Sequence, residues 1–460
     1  MGNKKNAWLK FDDTKKEEIF SFCEGYKKYI SDCKTERESI KEAISLAESK
    51  GYRDLKNVIS AGKSLKAGDK VYYNNMDKSL ALFLIGSESI ESGMRIIGSH
   101  VDSPRLDLKP NPLYEDSELS LMETHYYGGV KKYQWVTIPL ALHGVVVKKD
   151  GTKIDVVVGE EETDPVVMVS DLLVHLASEQ QQKKATEVIA GEDLNILVGS
   201  MPLEGEEKEA VKANILKLLK EKYDFEEEDF MSAEIEIVPA GKARDLGLDR
   251  SMVAGYGHDD RICAYTSLLA LLETESTKKT SVVLLVDKEE VGSIGATGMQ
   301  SRFFENAVAE LMDRVGEYSE LKLRRALANS KMLSSDVTAA FDPNYAGAYE
   351  KKNSAFFGKG LAFAKYTGAR GKSGCNDANA EFVAWLRNVM DENDVAYQMA
   401  ELGKVDQGGG GTIAYILAEY GMEVIDCGVA LQNMHAPWEV ASKVDIFETM
   451  RGYKAFLMAE

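Results

Sequence analysis

The run Ser281-Val282-Val283-Leu284-Leu285-Val286 is apolar at five consecutive positions and then breaks into Asp287-Lys288-Glu289-Glu290. A strand apolar on both faces needs cover on both faces, which is the situation of a strand inside a parallel sheet flanked by helices. The second half of the chain repeats the theme. Helical spacing over 262–272, 303–313 and 378–389 alternates with short apolar runs at 281–286, 332–338 and 424–429. This alternation predicts an α/β fold built on a mixed, largely parallel sheet covered by helices.

The first half is less uniform. Ile19, Phe20, Cys23, Tyr26 and Ile30 recur at helical spacing, and Thr35 with Glu38 forms a capping box ahead of Ile40, Ala43, Ile44 and Ala47. Residues 71–73 and 80–85 read as a hairpin around Asn74-Asn75-Met76-Asp77, with a strand at 94–97 behind it. Between about 109 and 243, strand-forming runs dominate, such as 145–147 and 154–158 around Asp150-Gly151, with an acidic helix near 206–221. A chain of 460 residues exceeds one ordinary core. The expected division is therefore a discontinuous domain of 1–108 plus 244–460 interrupted by a β-rich insert, 109–243.

Charge narrows the function classes. The 56 basic against 75 acidic residues leave −19, which repels phosphate backbones and anionic lipid surfaces. Nucleic acid and membrane are not expected partners. Five scattered cysteines without CxxC spacing suggest neither a disulfide framework nor a thiolate metal site. The charged N-terminus is followed by no apolar leader segment, and a reducing, cytoplasmic location is expected.

Of six histidines, two stand where apolar strands give way to loops: His100 in Gly98-Ser99-His100-Val101-Asp102 and His435 in Asn433-Met434-His435-Ala436-Pro437. Ligands of parallel α/β sheets bind off such strand ends. If the backbone is still extended there, His100 and Asp102 share a face, and the carboxylate can take the ring N–H. The adjacent Glu289 and Glu290 end the 281–286 strand, so one can bind a metal while the other acts as a base. Asp259-Asp260-Arg261 precedes a helix, and Asp336 follows the 331–335 run. Nitrogen and oxygen ligands without thiolate suit zinc first, then cobalt or manganese.

The ordered segments GSHVDSPRL, HDDR, DKEEVGS, SSDVTAAFDPNY and NMHAPWEV resemble the aspartyl-aminopeptidase-like family of dinuclear metallopeptidases, in a divergent, bacterial-type branch. The resemblance implies a zinc-exopeptidase-like catalytic domain split by a dimerisation insert, with the dimers assembling into a tetrahedral dodecamer. It implies two divalent metal ions, Zn²⁺ with Co²⁺ or Mn²⁺ as alternatives, held by His100, Asp259, Glu290, Asp336 and His435. Asp259 would bridge them, Glu289 would be the general base, and Asp102 would steer His100. The reaction implied is release of N-terminal residues from peptides. A deacylase on the same scaffold is the enzymatic alternative, and a non-catalytic assembly protein the remoter one.

Around the pocket the pattern departs from the family. Asp342 stands where the family has histidine before PNY, and Asp171 replaces the first histidine of the insert's segment ending at His175. Lys365, Gly410, Asp171 and His175 are the substrate-contact candidates, with Gly410 in a glycine-rich loop that can present backbone N–H groups. Two extra carboxylates predict a preference for neutral or basic N-terminal residues over acidic ones.

Overall fold

A computed structural model describes residues 5–368 and 370–460. The chain divides into two compact units, one of residues 1–102, 243–434 and 439–460, the other of residues 103–242 and 435–438.

In the first unit a nine-stranded sheet runs in the order Arg53–Asp54, Lys70–Asn75, Ser79–Leu84, Thr280–Val286, Met94–His100, Lys331–Ser335, Glu423–Gly428, Leu361–Ala364, Tyr397–Met399. Four adjacent strands, from Thr280–Val286 to Glu423–Gly428, are mutually parallel. Antiparallel neighbours flank them on both sides. Alternate residues enter opposite cores, as the period of two requires. Ile97, Val283, Leu285, Leu333 and Ile425 pack with the helices Glu36–Ser49, His258–Leu272, Ala380–Glu392 and Lys443–Met458. Ile96, Val282, Leu284, Met332 and Val424 pack on the other side with Leu55–Ser60, Phe303–Val315 and Glu320–Ala328. Each fully buried Leu, Ile or Val contributes about 1.5–3 kcal/mol, so the two cores fix these strands firmly. Gly98 is a point of close approach: a Cβ there would meet Met332 Cε at 2.6 Å and Ile413 Cδ1 at 3.0 Å, so both side chains would have to shift.

The helical opening forms as Asp13–Asp32 and Glu36–Ser49, and both halves of the Thr35–Glu38 capping box are made. The hairpin is Lys70–Asn75 with Ser79–Leu84. Three features go beyond the sequence reading. A small sheet joins Arg244–Leu246, Met252–Gly255, Glu439–Ser442, Ala430–Gln432 and Thr338–Ala339. The helix Glu320–Ala328 precedes Lys331–Ser335, and Lys443–Met458 closes the chain. The apolar run expected at 332–338 stops as a strand at Ser335, because from Asp336 onward the backbone leaves the large sheet for the small one.

The second unit is a seven-stranded antiparallel sheet, ordered Lys153–Val158, Leu140–Val147, Ala233–Pro239, Arg105–Asp116, Leu119–Tyr127, Ile196–Gly199, Met168–Val169, with the helix Ala210–Tyr223. Its long stretch begins at Ser103 and ends at Lys242. Among the described residues no helix is long and apolar enough to cross a membrane.

Candidate metal centre

Three of the parallel strands end side by side. Val286 is in register with His100, and Ser334 with Gly98, so His100, the Asp287–Glu290 segment and Asp336 emerge at one edge of the sheet. The helix His258–Leu272 packs across the same strands and brings Asp259 and Asp260 to that edge from its first turn, where the peptide bond between them is cis. Arg261, fully buried, donates to the carbonyls of Lys34 (2.8 Å) and Tyr256 (2.9 Å) and so fixes that turn.

His100 is the hub. Its Nδ1 lies 3.0 Å from the Asp102 carbonyl and 3.4 Å from its Oδ1; its Nε2 lies 3.1 Å from Asp259 Oδ1, 3.7 Å from Asp336 Oδ1 and 3.9 Å from Glu289 Oε2. Because the strand ends at His100, the Asp102 carbonyl, rather than its carboxylate, is the nearer acceptor of the ring N–H. The carboxylate has other work: its two oxygens accept the backbone N–H of Glu289 (3.2 Å) and of Glu290 (3.1 Å). Asp102 thus holds the imidazole and the glutamate pair in one frame. Glu439 does the same for the bridging candidate, accepting the Asp259 N–H at 3.1 Å.

Two groups of three share His100. His100, Asp259 and Glu290 each offer a ligand atom within 4.8 Å of the others, and so do His100, Asp260 and Asp336. Asp260 is fully buried with no hydrogen-bond partner on either oxygen among the described residues. Six carboxylates therefore surround one imidazole in a buried site, and the strain registers in their acidity. Burial pushes Glu289 up to about 8, opposed by His100 and reinforced by Asp336, Asp102 and Asp259. Burial also raises Asp336 and carries Asp260 well above the carboxylate range, the latter reinforced by Asp336. Burial opposes the charge on His100, but hydrogen bonds to Asp102, Asp259 and Asp336 raise it well above its usual value. Such a cluster calls for a cation. Ligand atoms at about 2.0 Å from a tetrahedral zinc stand roughly 3.3 Å apart, and Asp259 Oδ1 at 3.1 Å and Asp336 Oδ1 at 3.7 Å from His100 Nε2 lie close to that figure.

The remaining sequence candidates are placed as follows. His435, at φ 64°, groups with the second unit, where its Nδ1 is 2.9 Å from the Gly129 carbonyl, which assigns the proton to Nδ1 and the lone pair to Nε2. Lys365 follows the strand Leu361–Ala364, half-exposed and 3.9 Å from Asp377. Gly410 donates to the Thr367 carbonyl at 3.2 Å. In the second unit Asp171 accepts from Leu172 N and Gln180 Nε2, and His175 sits exposed in the turn Val174–Leu176. His258, beside Asp259 in sequence, is buried against Tyr26, its Nδ1 2.5 Å from the hydroxyl, and burial lowers it to about 3. It serves the core. Sequence reasoning passed over Asp260 and Glu439; the adjacent Asp-Asp pair signalled the former, and nothing distinguished the latter from an ordinary strand residue.

Comparison with known proteins agrees with this geometry. Residues 29–457 match the Peptidase M18 family, described as aminopeptidase I zinc metalloprotease. The chain is 66% identical over 454 residues to the probable M18 family aminopeptidase 1 of Clostridium acetobutylicum, covering 98% of both. The crystal structure of aminopeptidase I from the same organism superposes with a TM-score of 0.93 at 65% identity, and that of the Thermotoga maritima M18 aminopeptidase with 0.95 at 45%, each covering 99% of both chains. At 21% identity, covering 95% of this chain and 96% of the other, the S. cerevisiae mApe1 dodecamer shares the fold with a TM-score of 0.77. The chain belongs to the M18 family of aminopeptidase I zinc metalloproteases, metal-dependent enzymes that hydrolyse peptide bonds at the amino terminus.

Proposed function

We propose that the cluster at the sheet edge is a dinuclear centre in which His100, Asp259, Glu290, Asp336 and His435 are the ligands, Asp259 bridges the ions and Glu289 is the general base. The observation that carries this reading is the split of the glutamate pair. Asp102 grips both backbone N–H groups, yet Glu290 belongs to the ligand group of His100 and Asp259, while Glu289 reaches only to 3.9 Å of the imidazole. The two three-residue groups overlap at His100, and it is the number of carboxylates around it, more than one ion needs, that supports a second ion. Zinc is the ion the family description names, with Co²⁺ and Mn²⁺ as alternatives. Bound there, the ions supply Lewis acidity toward the peptide carbonyl and a seat for the free amino group. Glu289 takes the proton of the attacking water and returns it to the departing amine, while Asp102 keeps base and imidazole in register. Elemental analysis and anomalous scattering test the centre: two peaks roughly 3–4 Å apart are expected. A single peak, or none, would overturn it.

The substrates on this reading are peptides with a free amino group, and N-acylated peptides should be poor. Asp342 caps the turn Pro343–Ala348 through Asn344 N (2.8 Å), and Asp171 caps its own loop; both are acidic residues, the type that repels acidic substrate side chains. Neutral and basic N-terminal residues should therefore outrun Asp and Glu by about five-fold for each carboxylate, each repulsion being about 1 kcal/mol. A panel of aminoacyl-p-nitroanilides decides the order; highest kcat/KM on Asp or Glu would refute it. Lys365 and Gly410 are the substrate contacts offered by the first unit, Asp171 and His175 those offered by the insert.

The insert pairs subunits on this proposal, because the segment after its strand Met168–Val169 leaves Leu172, Leu173, Val174 and Leu176 exposed and such surface calls for cover. Dimers then build a closed tetrahedral particle in the cytoplasm, as the dodecamer of the yeast relative suggests. A stable monomer by light scattering at micromolar concentration would contradict this assembly.

A further inference from the structure

The segment that carries Glu289 and Glu290 is a loop closed at its base by one side-chain hydrogen bond. Asp287, fully buried, accepts the Thr297 hydroxyl on Oδ2 at 2.6 Å and the Lys288 backbone N–H on Oδ1 at 2.8 Å. Between these ends Lys288 takes a left-handed conformation, φ 72°, and the glutamates follow in one tight turn, Glu289–Val291. The chain then folds back: Ser293 N donates to the Lys288 carbonyl at 2.6 Å, and a Cβ on Gly298 would lie 2.3 Å from the Ser293 carbonyl oxygen. Thr297 is itself tied to the hairpin, its carbonyl accepting from the Ser79 hydroxyl, and the neighbouring Ala296 carbonyl accepts Asn75 Nδ2 at 2.9 Å.

Electrostatically Asp287 is misplaced. It adds a buried carboxylate beside a site already overloaded with them, and burial together with the charges of Glu36 and Asp102 pushes it up to about 6. Its geometry explains its presence. Two donors converge on it from the two ends of the loop, and a carboxylate accepts both, whereas an amide would turn its NH₂ toward one of them. The bond spans the glutamate pair and reinforces the long backbone contact at the same place, where the Asp287 N–H meets the Thr297 carbonyl at 3.4 Å, so losing it loosens the turn that aims Glu289.

We propose that the Thr297–Asp287 hydrogen bond is a positioning element for the general base, clamping the 287–297 loop so that Glu289 is held at its reacting distance. The proposal rests on the assignment of Glu289 as the base. Thr297→Val removes the hydroxyl at constant shape, and Thr297→Ser restores it. Each is assayed on an aminoacyl-p-nitroanilide at saturating zinc, with zinc content and Tm measured on the same samples and Glu289→Gln run beside them. We expect Thr297→Val to lose about ten-fold or more in kcat, since a misplacement of about 1 Å can cost as much as 10²-fold. KM should stay within about two-fold, zinc should be retained, and Thr297→Ser should recover most of the loss. The clamp is overturned if Thr297→Val keeps wild-type kcat while Glu289→Gln is inactive, or if serine fails to rescue, or if the loss of rate merely follows loss of zinc. Turnover retained by Glu289→Gln would overturn the base and the clamp together.

Discussion

Two charge clusters in the first unit, one partly exposed and one buried, meet their charge in opposite ways. At Asp245 a carboxylate is met by three cations of the chain itself, Lys27 Nζ at 2.7 Å, Lys443 Nζ at 2.8 Å and Arg250 Nε at 2.6 Å. Burial alone would raise its pKa, but these bonds hold it well below the usual carboxylate range. At His100 six carboxylates share one imidazole, and burial wins: Glu289 is pushed up to about 8. A cluster neutralised from within needs nothing more and ties elements together. A cluster left with excess negative charge calls for a cation from outside the chain, and that imbalance distinguishes a reaction site from a structural one.

The largest effect should come from removing the base. Glu289→Gln is expected to lower kcat by about 10²–10⁴ with metal content unchanged, measured by single-turnover assay and mass spectrometry of bound metal. Near-normal turnover would move the base elsewhere and dissolve the contrast. On the structural side, Asp245→Asn strips the carboxylate from the fully buried Lys443 and should cost about 3 kcal/mol of stability, read as a lower denaturation midpoint. Its kcat at a temperature where it is folded should stay within about two-fold. A large loss of activity at full folding would show that the Asp245 cluster also serves the reaction.

A subtler effect separates the clusters by pH. Glu289 has a folded pKa raised above its ordinary 4.5, so its contribution to stability is present below about pH 4.5 and is lost as pH rises through about 8. Metal-stripped protein should therefore melt several degrees lower at pH 8.5 than at pH 5.5. In zinc-loaded protein the bound cations would offset the negative charge around Glu289 and lower its pKa toward the ordinary value, so little of this slope should remain. Asp245 works in the other direction, its stabilisation present above its ordinary 3.8 and lost only as pH falls through its lowered value. Calorimetry of both forms across this range would expose an equal slope, which would mean that the acidic cluster does not hold the ion.

Much of this was legible in the residues. The apolar runs at 281–286 and 424–429 announce two-sided burial, and the acids that follow mark the edge where ligands gather. Asp102 was legible only in part: the two-residue spacing from His100 suggests a shared face, but its grip on Glu289 and Glu290 depends on strand pairing across 187 residues. The closing helix Lys443–Met458 hid itself by being enclosed. It buries Lys443, Asp445, Glu448 and Thr449 alongside its apolar residues, so no polar stripe reveals a helical period. The small sheet escaped notice because its strands are two to four residues long, too short for any alternation to register.

The strand Met94–His100 lies between neighbours made far later in the chain, and His100 meets Asp259 across 159 residues. None of the groups gathered around the imidazole, apart from Asp102, exists while the first quarter of the protein is being synthesised. A chain emerging from the ribosome is thus chemically silent: on the proposed ligand set, hydrolytic competence cannot appear before His435 has been added and the central strands have paired. For an enzyme that attacks amino termini, this late assembly is an intrinsic safeguard. It spares the growing chain, and others nearby, until the fold is nearly complete.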